Sequence, residues 1–529
     1  MNVFSTTGGP VRGRRPAPEV VAVLGIPYAA PPFGANRFRE PRPARTWAGV
    51  RDCAGFGPIA PQSARLPGAP YWSPGDEDIL TLNVWTLQGA GGLPVLVWIH
   101  GGAYTFGSSA QPDFDGVALA RAGLVVVTLN YRLGFEGFGH IPADGSTRGA
   151  AHAFPDNRGL LDQIAALRWV ADNIAGFGGD PANVTVAGQS SGAASVACLM
   201  GTGRARGLFR RAIAHSAVGP CYSAELAAGT TGRVAAAAGV PATAAGLLSA
   251  SPYDLVTASD QVADDYRRDP ASGFRHYNPV LYGPVAEGDV LPADPLATVA
   301  TGVAREVDLL VCHTTQEYWL MDAVGSTAKV STDAQLASFA EDFGLPGTVL
   351  AGYRALMPDA PAHDLHLAIL GDLLFSEYST RLAEQHARAG GRAFLSRFVR
   401  QRTGAGGEVR AWHCADIPFA FGNLADENVH FLLGGPPTES DHELSHRMMS
   451  AWAAFAATGD PGWQPLGPDG PKGTADTADF ADPAALTDSD ALDDAPDPTP
   501  VRVWGTAETL PSVDVRPLWR AAGFPPLRP

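Results

Sequence analysis

Four short apolar runs, rich in β-branched residues, recur along the chain: Val95–Ile99, Leu124–Leu129, Val184–Ala187 and Val307–Cys312. Each is too short for a helix and lacks the polar alternation of a strand with one wet face. They therefore predict strands buried on both faces of a parallel sheet. Between the second and third runs, Leu160, Leu161, Ile164, Leu167, Ala171 and Ile174 repeat at helical spacing, and Gly176-Phe177-Gly178-Gly179-Asp180-Pro181 forms a stop. Strands alternating with helices predict an α/β fold, in which ligands bind beyond the carboxyl ends of the strands. Ala-rich helical patterning over 223–269 and 332–395 predicts helical insertions that wall or cover a pocket. The stretch 466–500, rich in Asp, Pro, Gly and Thr, predicts an exposed, mobile acidic loop, after which Val501–Trp504 regains order. Length alone allows about three or four domains. No repeat or linker divides the first 465 residues, so residues 1–529 predict one domain.

Composition narrows the class. With 45% hydrophobic and 17% charged residues the chain can bury a large core. The net charge of −16 disfavours nucleic acid or an anionic membrane as partner and is accounted for by solubility. No apolar stretch approaches the ~20 residues that span a bilayer, and the start lacks the pattern of a signal peptide, so a cytoplasmic protein is expected. Five cysteines (Cys53, Cys198, Cys221, Cys312, Cys414) without C-x-x-C spacing predict neither a metal site nor a disulfide framework. Lysine occurs only at 329 and 472 while arginine is plentiful, as in a GC-rich bacterial genome.

The candidate chemistry sits at the end of the third run. Val184-Thr-Val-Ala-Gly-Gln-Ser-Ser-Gly192 empties a strand into G-x-S-x-G, followed by an Ala-rich helical stretch over Ala193–Met200. Such a strand-to-helix elbow holds a serine out above the sheet, with glycines at 188 and 192 where backbones crowd together. Ser190 is the candidate nucleophile. A serine hydroxyl needs a base, and the base needs an orienting carboxylate. In this arrangement both follow the serine in the chain. The downstream histidines are His215, His276, His313, His363, His366, His386, His413, His430, His442 and His446.

His413 lies in Trp412-His-Cys-Ala-Asp-Ile-Pro-Phe-Ala-Phe-Gly-Asn423, which resembles the histidine loop of type-B carboxylesterases, the family of cholinesterases and bacterial p-nitrobenzyl esterases. Leu24–Ala29, Asn130–Phe135, Asp180–Thr185, Gly283-Pro-Val285, Leu291-Pro292 and Trp452–Ala456 resemble the same family, so the likeness spans nearly the whole chain. It implies an α/β-hydrolase fold and a cofactor-free ester hydrolase acting on small-molecule esters and water. It also implies that Glu317 is the orienting acid, although Tyr318 stands where the family carries glycine. His313 just upstream is expected to be structural. Trp98–Tyr104 resembles the oxyanion loop, with backbone N–H groups of Gly102, Ala103 and Ser191 as donors.

Several residues depart from the family. Ile79 and the segment Ala60-Pro61-Gln62 lack a cysteine pair that often closes a loop, which fits a reducing compartment. Glu77 and Arg132 match a family salt bridge and are expected to be scaffold. Gln189 replaces the glutamate that usually precedes the serine; loss of that charge predicts neutral esters over choline esters. Trp72, in a shortened loop, is expected to be a packing aromatic. The leading expectation is a serine carboxylesterase. The alternatives are an inactive binding protein on the same fold, or a serine hydrolase for amides, carbamates or lactones.

Overall fold

The computed structural model describes residues 2–142, 154–404, 407–467, 501–506 and 515–522. Its main sheet has nine strands: β1 (Val20–Pro27), β2 (Thr81–Leu87), β3 (Leu93–Ile99), β4 (Val125–Leu129), β5 (Gly179–Gln189), β6 (Arg211–His215), β7 (Asp308–Thr314), β8 (Ala393–Phe398) and β9 (Val501–Trp504). They lie in the order β9-β8-β7-β6-β5-β3-β4-β2-β1. All four apolar runs fall on strands, β3, β4, β5 and β7. From β4 through β9 the pairings are parallel, while β1, β2 and β4 pair antiparallel.

The continuous apolar character of the runs follows from two buried faces. Along β3, Val95, Val97 and Ile99 enter one layer of the core with Leu160, Leu167 and Val196. Leu96 and Trp98 enter the opposite layer with Leu119, Phe421 and Trp452. Helix α1 (Arg158–Asn173) covers the predicted helical segment, and Gly178 at φ 84° ends the 3₁₀ turn that follows it. Helix α2 (Ser191–Gly201) leaves directly from the end of β5 and is buried throughout.

Helices α3 (Ala224–Ala237), α4 (Ala244–Ser249) and α5 (Pro252–Arg268) occupy the first Ala-rich stretch. The second holds α6 (Asp333–Asp342), α7 (Gly347–Leu356), α8 (Ala362–Gly371), a π turn (Asp372–Ser376) and α9 (Glu377–Arg388). Its last residues belong instead to β8, because Ala393-Phe394-Leu395 joins the sheet beside Leu309–Val311. Of the acidic stretch 466–500, residues 468–500 lie outside the described residues. Leu466 is buried, and its N–H donates to Ala393 O at 2.7 Å, so the chain is still anchored to β8 there. No helix among the described residues is long and apolar enough to cross a membrane.

Candidate active site

The end of β5 makes a sharp exit at Ser190, whose φ of 58° and ψ of −126° lie in a region that L residues rarely adopt. Such backbone costs about 1–3 kcal/mol and persists only where its surroundings enforce it. Here the Ser190 N–H donates to His215 O at 2.9 Å, and Ser190 O accepts from Ala194 N–H at 2.9 Å. The two flanking glycines are fixed by space. A Cβ at Gly188 would lie 2.5 Å from the Gly192 carbonyl, and one at Gly192 would lie 2.1 Å from Ile99 O. His215 is itself pinned. Its Nδ1 meets Asp416 Oδ2 at 2.5 Å and its Nε2 accepts from Trp452 Nε1 at 3.2 Å. Cys312 completes a buried cluster with His215 and Asp416, but with both ring nitrogens engaged the histidine has no lone pair for an ion. The cluster braces the strand end beneath the elbow.

The segment after β3 wraps over the same point. A Cβ on Gly101 would meet Ser190 Cβ at 3.0 Å and the Gln189 side-chain oxygen at 2.8 Å. Gly102 (φ 113°) turns so tightly that a Cβ would lie 1.9 Å from Phe106 O, and Ala103 takes φ 53°. The N–H groups of Gly102, Ala103 and Ser191 have no hydrogen-bond acceptor among the described residues. His100 anchors the loop with Nδ1 2.8 Å from Gly101 O and its ring stacked on Tyr131. Burial lowers its pKa to about 4, so it is neutral.

The loops following β7 and preceding α10 (Ile417–Phe421) carry Glu317 and His413. They are joined by Gln316 N–H to Ala411 O (2.9 Å), Ala411 N–H to Gln316 Oε1 (3.1 Å) and His413 N–H to Glu317 O (3.1 Å). Glu317 Oε2 lies 2.6 Å from His413 Nδ1, both side chains being almost wholly buried. The other carboxylate oxygen accepts from Ser216 Oγ (2.6 Å) and Thr314 N–H (2.9 Å). Burial opposes charge on His413, but Cys414 and the Glu317 carboxylate outweigh it and hold the imidazole above its ordinary pKa. Because burial raises the Cys414 thiol, Glu317 is the partner that carries the charge. Phe375, from the π turn, packs against the His413 ring with centroids 4.3 Å apart.

The outer nitrogen, His413 Nε2, lies 2.9 Å from Gln189 Nε2. No hydrogen bond joins Ser190 Oγ to His413 among the described residues. Gln189 takes that position because its amide reaches the imidazole from the residue next to Ser190. This contact, Ser216 beneath Glu317 and Phe375 against His413 were not anticipated; each joins residues distant in the chain, with no local signal.

Five further expectations can be compared with the structure. Arg132 does not pair with Glu77, which is exposed; its guanidinium makes two 2.7 Å bonds to Asp162, both side chains being fully buried. A conformationally fixed carboxylate on α1 outcompetes one on a surface loop, which would have to leave water to reach Arg132. Ile79 and Ala60 are buried apolar residues and all five cysteines are free. Tyr318 turns into the helical layer with Phe339, its hydroxyl donating to Tyr277 O at 3.0 Å, so its bulk points away from His413. His313 hydrogen-bonds its neighbour Thr314 O and does not reach Ser190. Trp72 stacks on Tyr253.

A largely parallel sheet that delivers a strained serine into a helix, with a histidine and a carboxylate arriving on later loops, defines an α/β-hydrolase. A model of the carboxylesterase family matches residues 1–351 and 358–473. The para-nitrobenzyl esterase of Bacillus subtilis strain 168 is 35% identical over 445 residues, covering 83% of this chain and 86% of that protein. The fumonisin B1 esterase of Sphingopyxis macrogoltabida is 33% identical over 450 residues, 84% and 80% of the two chains. A solved Geobacillus stearothermophilus carboxylesterase superposes with a TM-score of 0.74 at 35% identity, over 87% of this chain and 91% of that one. The chain belongs to the carboxylesterase family and is a carboxylic ester hydrolase.

Proposed function

We propose that Ser190 is the nucleophile, His413 the general base and Glu317 the orienting acid of a serine carboxylesterase for neutral esters. The observation that carries this reading is the buried 2.6 Å contact between Glu317 and His413 beside the strained Ser190. Ser190 Oγ attacks the ester carbonyl while His413 Nε2 takes its proton, and Glu317 stabilises the imidazolium that forms. The N–H groups of Gly102, Ala103 and Ser191 receive the oxyanion, and each donor is worth roughly 3–4 kcal/mol in the transition state. His413 returns the proton to the leaving alcohol, giving an acyl-enzyme. Water activated by the same imidazole then releases the acid.

For Ser190 to pass its proton to His413, the Gln189 amide must leave His413 Nε2 or share it, so substrate entry and this contact are linked. Gln189 also supports the neutral-ester preference, since an amide gives a cationic leaving group no fixed charge to meet. Acetylthiocholine should turn over less efficiently than a matched neutral thioester. The helical stretches 223–269 and 332–395 are read as pocket walls of one domain, and the five free cysteines fit a reducing, cytoplasmic setting. The deciding experiment is hydrolysis of p-nitrophenyl esters from acetate to decanoate by the native protein and Ser190→Ala. Activity lost in a variant that still melts cooperatively supports the reading. An inactive native protein without a fluorophosphonate adduct on Ser190 would move the chain to the binding-protein alternative.

A further inference from the structure

Beyond the carboxyl ends of β7 and β8, on the far side of the π turn from His413, lies a cavity of about 190 Å³. Among its walls are His313, Gln316, Asp372, Ser376 and Arg397. His313 and Arg397 are register partners on adjacent parallel strands, so their side chains leave the sheet on the same side. Both carry an unmet demand. His313 is 5% exposed, its Nδ1 lies 2.9 Å from Thr314 O, and its Nε2 is buried without a partner. A carbonyl can only accept, so the ring proton sits on Nδ1 and Nε2 presents a bare lone pair. Burial, reinforced by Arg397, lowers this histidine to about 3, which keeps it an acceptor. Arg397 Nε is also buried and unpartnered, and its guanidinium makes no hydrogen bond or ion pair among the described residues.

Buried polar groups in proteins are almost always satisfied. Two that face one cavity, one an acceptor and the other a cationic donor, point to an occupant offering both a hydroxyl and an anionic oxygen. The remaining walls limit that occupant. Glu377 is neutralised by Arg381 and Arg516, and burial pushes Asp372 up to about 7. Arg397 is then the cation left without an ion pair among the described lining residues, and one such charge balances a monoanion. Trp319, Met357 and Trp519 contribute apolar surface. We propose that this cavity is a second ligand site, separate from Ser190, for a small hydroxycarboxylate bearing an apolar group. Its carboxylate would sit on Arg397 and its hydroxyl would donate to His313 Nε2.

The site is built to be felt by the catalytic centre. Asp372 and Ser376 line the cavity while Phe375, between them on the same π turn, packs on His413. Thr314, adjacent to His313, donates its N–H to Glu317. Single π turns occur frequently at functional sites.

The proposal does not depend on the esterase reading and is tested by calorimetric titration of mandelate into Ser190→Ala, with phenylacetate as the analogue lacking the hydroxyl. Saturable mandelate binding is expected. Phenylacetate should bind roughly threefold to tenfold more weakly, and Arg397→Gln should weaken mandelate by more than about tenfold. Where Arg397→Gln does not melt cooperatively, Arg397→Lys and the mandelate–phenylacetate comparison decide. No saturable binding overturns the proposal and leaves the cavity to water. Equal affinity for the two acids, or binding unaffected by both Arg397 substitutions, also overturns it by locating the ligand elsewhere.

Discussion

Replacing Gln189 with glutamate puts a carboxylate where an amide now lies 2.9 Å from His413 Nε2. At that separation, with an effective dielectric constant of about 20, attraction between the carboxylate and an imidazolium has a ceiling of about 6 kcal/mol. Burying the new charge removes part of this, and opposite charges at such distances move pKa values by about 1–3 units. That range corresponds to about 1.4–4 kcal/mol. An imidazolium cannot accept the serine proton, so stabilising it moves the acid limb of activity to higher pH. Native His413 already stands above the ordinary histidine value, with the Glu317 carboxylate as its charged partner, and Gln189→Glu should raise it further. The assay is kcat/KM for p-nitrophenyl butyrate from pH 6 to 11, a window that contains the value of about 10 to which His413 is raised, and it reports the free enzyme's base. The limb should move up by about 1–3 units, so that below it the variant loses about tenfold to a thousandfold relative to native. A limb that stays in place, or moves to lower pH, would refute the inference that residue 189 acts on His413.

The remaining expectations concern stability and positioning. Asp162→Ala leaves the Arg132 guanidinium buried without its partner and should cost about 3–5 kcal/mol in denaturant unfolding, while Glu77→Ala should melt like native; the reverse ranking would reinstate the Glu77 pairing. Asp372 is raised from 3.8 to about 7, chiefly by burial, so the folded state holds this proton more tightly than the unfolded chain. Its effect is a loss of stability as pH climbs from about 4 to about 7. Asp372→Asn should relieve up to about 4 kcal/mol at pH 8 and little at pH 4; equal melting shifts at both pH values would contradict this. Ser216→Ala removes the 2.6 Å bond to Glu317 and should lower kcat several-fold while leaving KM nearly unchanged, because the serine positions the acid without touching substrate. Gly192→Ala, whose methyl would press within 2.1 Å of Ile99 O, should fail to fold or lose most esterase activity.

What the sequence discloses is governed by how local the physical cause is. The four apolar runs declared their strands because both faces of the central sheet are dry. β2 was silent because Thr81, Asn83 and Thr86 interrupt its apolar positions. In the fold all three are buried, the Asn83 amide donating to Thr128 Oγ1 at 2.9 Å and the Thr86 hydroxyl to Phe177 O at 2.8 Å. The elbow was legible because its requirement for small residues lies within five positions. Glu317 and His413 were legible only through motif likeness. The same likeness misled over Arg132, because a pairing inferred from relatives cannot register that Asp162 lies nearer and is already buried. The contact of Gln189 with His413 spans 224 positions and depends on how two loops happen to meet.

The order in which the sheet is assembled along the chain has a consequence for synthesis. β9 pairs with β8 through Leu395–Phe398 and lies at the sheet's edge, yet it follows residue 467 only after the segment 468–500. Its Trp504 ring meets Trp463 edge-on at 5.7 Å, and its carbonyl accepts from Val399 N–H. While the chain emerges from the ribosome, β8 must wait with a bare row of amides and carbonyls beside an uncovered tryptophan. Such an edge recruits other strands. Ribosome-bound chains long enough to expose Trp463 but not Trp504 should accordingly be the most aggregation-prone of the nascent lengths, and those long enough to expose Trp504 should be markedly less so.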